Sequence, residues 1–156
     1  MRVIEIRNDP HVSPTTIIQI CVDNPDLEEL SVSIDTSIHS GCIWDTSDSL
    51  TLLDVLPRSL TRLDLQGHRL ILRFDRFLQL AELQHLTFLN IQAEVDACAF
   101  LLAHQSKRTM RLLKTLIFTC DLVRANKLDY DSMELAYAAI ERLCPNLMTC
   151  KLYINV

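Results

Sequence analysis

The sequence predicts an α/β solenoid, a parallel sheet laid down one short strand at a time with helical segments returning between strands. Three observations carry the prediction. One apolar spacing recurs six times along the 156 residues, and stretches of helical periodicity separate its copies. There are also only two glycines, Gly41 and Gly67, too few for an all-β chain turning through tight hairpins.

The spacing is clearest in "LPRSLTRLDLQGHRL", where Leu60, Leu63 and Leu65 step by three and then by two. The same template reads Met1, Ile4, Ile6; Leu27, Leu30, Val32; Leu86, Leu89, Ile91; Leu113, Leu116, Phe118; and Leu147, Cys150, Leu152. Its starts, at 1, 27, 60, 86, 113 and 147, are separated by 26, 33, 26, 27 and 34 residues. Alternate side chains of a strand share a face, so the fourth and sixth positions turn inward together, and the first enters the core from the preceding turn. A lone strand of this kind buries little. Stacked in parallel, the strands build a continuous core in which each buried leucine contributes about 1.5–3 kcal/mol.

Crossovers between parallel strands require a helix or its equivalent, and each interval supplies one. "SPTTIIQICVDNP" offers Ser13 as N-cap, Pro14 at the first helical position and Pro25 as a stop. "DSLTLLDVLP" reads as a short helix ended by Pro57, and "FDRFLQLAEL" as another turn or two. In "EVDACAFLLAHQ" the stripe is Ala97, Phe100, Leu101 and His104. "YDSMELAYAAIERLCP" opens with Asp131 three residues before Glu134, close to a capping box, and carries Leu135, Ala138, Ala139, Arg142 and Leu143 on one side.

Composition narrows the function classes. The chain is 49% apolar but only 6% aromatic, with 27 leucines, which fits many similar small core layers in one domain spanning 1–156. Fifteen basic against 20 acidic residues leave a net charge of −5, with no general footprint for nucleic acid or an anionic membrane. The basic cluster Lys107, Arg108, Arg111 and Lys114 reads as a solvated helix end and loop. Cysteines 21, 42, 98, 120, 144 and 150 form no CxxC pair, and "MRVIEIRND" lacks the apolar segment of a secretory signal. A reduced cytoplasmic or nuclear protein is expected.

The phrases "DNPDLEELSVSI" and "LCPNLMTCKLYI" run from a helix end through Pro into a strand, and "ACAFLLAHQSKRTMRLLKTLIFTCDLV" repeats the unit with a helix before it. In these stretches the chain resembles the leucine-rich-repeat family, in its longer, helix-containing form found in ribonuclease inhibitor and in fungal F-box proteins. The resemblance implies about six repeats, a curved parallel sheet on the concave side, helices on the convex side, and a role in protein–protein recognition. It further implies the substrate-recognition repeats of a ubiquitin-ligase receptor; a scaffold or inhibitor unrelated to ubiquitin is the alternative. Two departures stand out. The column where the family often carries Asn or Cys reads Asp9, Asp35, His68, Glu94, Asp121 and Asn155, polar throughout but with one Asn. No F-box module is present, and no polar capping unit closes either end, so either a piece of a longer array or ends covered by a partner or by self-association are expected, the first being favoured.

In such a repeat the second, third, fifth and seventh positions face outward. The third column reads Val3, Glu29, Arg62, Phe88, Thr115 and Thr149. The fifth reads Glu5, Ser31, Asp64, Asn90, Ile117 and Lys151, and the seventh Arg7, Ser33, Gln66, Gln92, Thr119 and Tyr153. Charged residues gather in the first half, while Phe88, Ile117, Met148 and Tyr153 lie in the second, a gradient expected of a protein-binding face. The two long intervals place extra residues in "DTSIHSGCIWDTSDS" and "CDLVRANKLDYDS", both on one rim. Trp44 in the first of these is either a rim anchor for a partner or a roof over the core. His39 and Cys42 alone do not make a metal site, and no GxSxG, HExxH or phosphate-cradling glycine loop is present. His85 and His104 read as turn or helix-end residues. No catalytic residue, metal or cofactor is expected.

Overall fold

The apolar template becomes strand because its alternation gives each short segment one face to bury. The computed structural model describes residues 2–34, 42–72, 74–123 and 130–155. Its strands are β1 (Val3–Ile6), β2 (Glu29–Ser33), β3 (Cys42–Ile43), β4 (Arg62–Ile71), β5 (Phe88–Asp96), β6 (Thr115–Val123) and β7 (Thr149–Asn155). They form one sheet in the order β1-β2-β4-β5-β6-β7, with β3 beside β4, and the pairings are parallel. The fourth template positions lie in one cross-strand row, Ile4 beside Leu30, Leu63, Leu89, Leu116 and Cys150.

Each junction uses the same two devices. The first-position amide closes a turn onto the carbonyl three residues back: Leu27 to Asn24, Leu60 to Pro57, Leu86 to Leu83, Leu113 to Met110 and Leu147 to Cys144, at 3.0–3.3 Å. The turn swings Leu27, Leu60, Leu86 and Leu113 beneath the sheet, where they are fully buried. The second-position carbonyl then accepts two amides from the following strand. Arg2 O takes Glu28 and Glu29 N–H, Glu28 O takes Thr61 and Arg62, Thr61 O takes Thr87 and Phe88, Thr87 O takes Lys114 and Thr115, and Lys114 O takes Met148 and Thr149. Because the same two N–H groups are held each time, every strand starts level with the last.

Helices α1 (Pro14–Asp23), α2 (Thr46–Val55), α3 (Ala97–Gln105) and α4 (Tyr130–Leu143), with a 3-10 helix over Phe74–Glu82, return the chain across the buried face. Ser13 Oγ caps α1 by accepting the Thr16 amide at 3.2 Å, and Asp45 Oδ1 caps α2 by accepting that of Asp48 at 2.7 Å. Ser49, on the buried side of α2, donates to Asp45 O at 2.8 Å and accepts the Ile71 amide at 2.9 Å, tying helix to sheet. The core runs the length of the sheet, from Ile17 and Leu30 through Leu52, Leu63 and Phe100 to Phe118, Ile140 and Leu143.

Several elements differ from the sequence reading. α2 starts two residues before Asp48, because Asp45 is the residue free to cap it. The 74–82 segment is 3-10 rather than α. α3 begins at Ala97, and Glu94 to Asp96 belong to β5. Since α3 leaves β5 with no loop between, the strand's exit direction sets which side of the helix meets the core. Phe100 and Ala103 are buried while Leu101 is 44% exposed. In α4 the buried line is Ala136, Ala139, Ile140 and Leu143, with Leu135 and Ala138 only half-buried. The side chain of Asp131 lies outside the described residues, as do Asp35 and His39.

β4 departs most from the template. Gly67 has φ of 82°, a left-handed conformation that an L-residue adopts only at a cost, and it releases a bulge in the strand. Before it Asp64 pairs Asn90; after it Arg69 pairs Gln92, so three residues of β4 are looped out relative to β5. The second half of β4 then pairs with β3, Cys42 beside His68 and Ile43 beside Arg69. His68 therefore sits in a strand, fully buried, and not in a turn; Glu94 and Asp121 are likewise strand residues.

Candidate functional site

The helices cover one face of the sheet, and among the described residues no element covers the other. Half-buried positions alternate with buried ones along β5, so the odd template columns form this open face. The fifth column is contiguous: Glu5 beside Ser31, Ser31 beside Asp64, Asp64 beside Asn90, Asn90 beside Ile117, and Ile117 beside Lys151. Glu29 lies between Val3 and Arg62, and Thr119 beside Tyr153. The expected face residues Glu29, Arg62, Asp64, Phe88, Asn90, Ile117, Lys151 and Tyr153 thus share one surface.

Two polar clusters organise it. In the first, Arg62 Nη2 donates to Asp64 Oδ2 at 2.8 Å and Asn90 Nδ2 donates to Asp64 Oδ1 at 2.9 Å. The Arg62 guanidinium lies 3.7 Å from the centroid of the Phe88 ring, so a cation covers the aromatic face. In the second, Arg69 Nε forms an ion pair with Asp121 Oδ2 at 3.0 Å without hydrogen-bond geometry, while Gln92 Nε2 donates to Asp121 Oδ2 at 3.2 Å and Asn155 Nδ2 donates to Asp121 Oδ1 at 2.8 Å. Arg69 Nη2 also reaches Glu94 Oε2 at 3.3 Å. The carboxylates are only 15–17% exposed, so these pairs are better shielded from water than ordinary surface ion pairs. Beyond the clusters, Ile117 is half-buried and Lys151 and Tyr153 are exposed.

The second cluster was not foreseen from the residue order. Arg69 reaches Glu94 and Asp121 only because the Gly67 bulge shifts β4 by three residues against β5. The polar character of the Glu94, Asp121 and Asn155 column was the available signal.

Trp44 corrects the rim reading. It is 1% exposed, and its Nε1 donates to His68 Nδ1 at 3.2 Å with the two rings edge to face. The strand β3 draws it inward by hydrogen-bonding the Trp44 amide to Arg69 O at 2.9 Å. It roofs the core and offers nothing to a partner. Burial lowers the His68 pKa to about 4, so the imidazole is neutral and its Nδ1 accepts the indole proton.

Burial pushes the thiols of Cys21, Cys120 and Cys144 up to about 12, and raises those of Cys42 and Cys150. Among the described residues no three His, Cys, Asp or Glu side chains stand together as metal ligands, and no helix is long and apolar enough to cross a membrane. In the basic cluster, Arg108 Nη1 pairs with Glu82 Oε1 at 3.4 Å. Comparison of the chain with protein-family models, with curated proteins and with solved structures gives no match.

Proposed function

We propose that the chain is a solenoid of about six leucine-rich-repeat units that binds a protein partner on the open face of its sheet. The contiguous, uncovered row from Asp64 and Phe88 through Asn90 and Ile117 to Lys151 carries this reading. Preformed clusters hold Arg62, Asp64 and Phe88 in place, so a partner would meet side chains whose ordering cost is already met. Ile117 and Tyr153 supply the apolar part of the contact. The raised thiol pKa values favour binding over thiolate catalysis.

The sequence resemblance to F-box repeat proteins supports a substrate-receptor role in ubiquitin ligation, in which the repeats hold the substrate and other chains transfer ubiquitin. The double change Phe88→Ser and Ile117→Ser tests the face. It is expected to abolish partner capture and leave the circular dichroism unchanged; retained capture would refute the reading. Depleting the chain from cells then separates receptor from scaffold. A captured substrate accumulates and loses ubiquitin in the first case, and keeps its turnover in the second.

A further inference from the structure

The junctions that precede the strands lie at one end of the parallel sheet and form a rim. Each is built on the same turn and the same doubly accepting carbonyl, so its exposed side chains are free to differ. Before β2 the rim carries Asp26 and Glu28, the latter paired with Arg2 at 2.9 Å. Before β4 and β5 it carries Ser59, Thr61, His85 and Thr87, with Arg58 tied to Glu82 Oε2 at 2.6 Å. Before β6 it carries Arg111, Leu112 and Lys114. The rim therefore runs from acidic to basic.

Further cations converge on the β6 junction. The loop leaving α3 adds Lys107 and Arg108, and Arg142 of α4 donates from Nε to Ser106 O at 3.3 Å. All five cations are exposed, and Leu112 among them is 47% exposed. The display is fixed. Met110 is buried and its amide bonds to Leu143 O at 2.6 Å, Asn146 Nδ2 donates to Arg111 O at 2.9 Å, and Ser106 Oγ accepts the Arg108 amide at 3.0 Å. Arg108 pairs with Glu82 at 3.4 Å, but that carboxylate is shared with Arg58. Crowded cations repel over the screening length of about 8 Å. The other junctions form the same backbone bonds without such a cluster, so folding does not call for it.

We infer that this stretch of rim binds a short acidic polypeptide segment, whose carboxylates meet Lys107, Arg111 and Lys114 and whose apolar side chain meets Leu112. Charge complementarity selects an anion, and the small extent of the patch selects a short one. Ten of the 15 basic residues lie outside the cluster, against all 20 acidic ones. A nucleic acid or an anionic bilayer laid along the rim would reach Asp23 and Asp26 and be repelled there. A short segment stays over the cations, and Leu112 gives it an apolar contact that a phosphate backbone cannot use. The surface is separate from the open face of the sheet, so it does not rest on what that face binds.

Fluorescence anisotropy of a labelled peptide of Asp-Asp-Leu repeats, titrated with the chain, tests this. Saturable binding that weakens as salt rises is expected. The double change Arg111→Glu and Lys114→Glu should weaken it about tenfold, because two exposed pairs give way to repulsion. Circular dichroism should not change, since the junction is held through the backbone carbonyls of these two residues. Arg111→Ala with Lys114→Ala should act in the same direction without reversing charge. Leu112→Ser should weaken binding of this peptide and leave unchanged that of one with Ser in place of Leu. The double change Phe88→Ser and Ile117→Ser should have no effect, which distinguishes this surface from the open face. Absence of binding at low salt would overturn the inference. So would equal affinity of the charge-reversed chain, or tighter binding of a single-stranded oligonucleotide or of phosphatidylserine vesicles than of the peptide.

Discussion

The bond from Trp44 Nε1 to His68 Nδ1 requires a neutral imidazole, and burial keeps it so by lowering its pKa from 6.5 to about 4. Above pH 6.5 the folded and unfolded chains both hold His68 neutral, and the stability is fully present. As pH falls from 6.5 toward 4 the unfolded chain takes up a proton that the folded one refuses, so stability declines across that window and levels off below it. The decline is on the order of 3 kcal/mol. Urea unfolding followed by the emission of Trp44, the single tryptophan, should show it. His68→Leu should flatten the pH dependence within this window, and an unchanged slope would refute the assignment. Among the described residues Ser49 is the other buried polar residue, and it is satisfied on both sides, by Asp45 O and the Ile71 amide. Ser49→Ala should cost about 1–3 kcal/mol in the same assay, because it leaves that amide buried without a partner.

At the scale of the element, β4 is two strands in one. Up to Gln66 it pairs with β2 in the template register; beyond Gly67 it pairs with β3. Gly67→Ala forces a β-carbon into a left-handed conformation, with an expected loss of about 1–2 kcal/mol and a changed Trp44 emission as His68 moves. Unaltered stability and emission would show that the bulge does not depend on glycine. The template register itself has a direct contrast. Leu63→Asp and Leu116→Asp place a carboxylate in the core and should unfold the chain, whereas Asp64→Ala, one residue from Leu63, removes only open-face contacts and should leave it folded. Near-ultraviolet circular dichroism separates the two outcomes.

At the scale of the whole molecule, stability is passed from strand to strand. β5 is paired on both sides, by β4 and β6, while β1 and β7 are paired on one. In dilute solution, amide exchange is therefore expected to be slowest in β5 and fastest in β1 and β7. Equal protection across all strands would mean that the sheet opens only as a unit. The open face follows the same geometry. Its columns are in register because each junction repeats the turn and the doubly accepting carbonyl, so Glu29, Arg62 and Phe88 come side by side from strands far apart in sequence.

Much of this was legible in the residue order. The spacing of Leu60, Leu63 and Leu65 and its copies depends only on which side chains avoid water, and that preference is local. It marked the strand centres, the inward residues, and the columns of Asp64, Asn90 and Ile117. Helix caps were partly legible for the same reason: Ser13 before Pro14 acts within one turn. What only the tertiary structure decided depends on how neighbouring strands and helices meet. The three-residue shift in β4 joins Arg69 to Glu94 and Asp121, and no periodicity within β4 reports where β5 lies. Trp44 had two possible places, and the short strand β3 settles it under the sheet by pairing with residues 25 positions away, Trp44 N–H to Arg69 O. Local water avoidance orders the residues along each strand; long-range hydrogen bonding between strands determines which of their side chains touch.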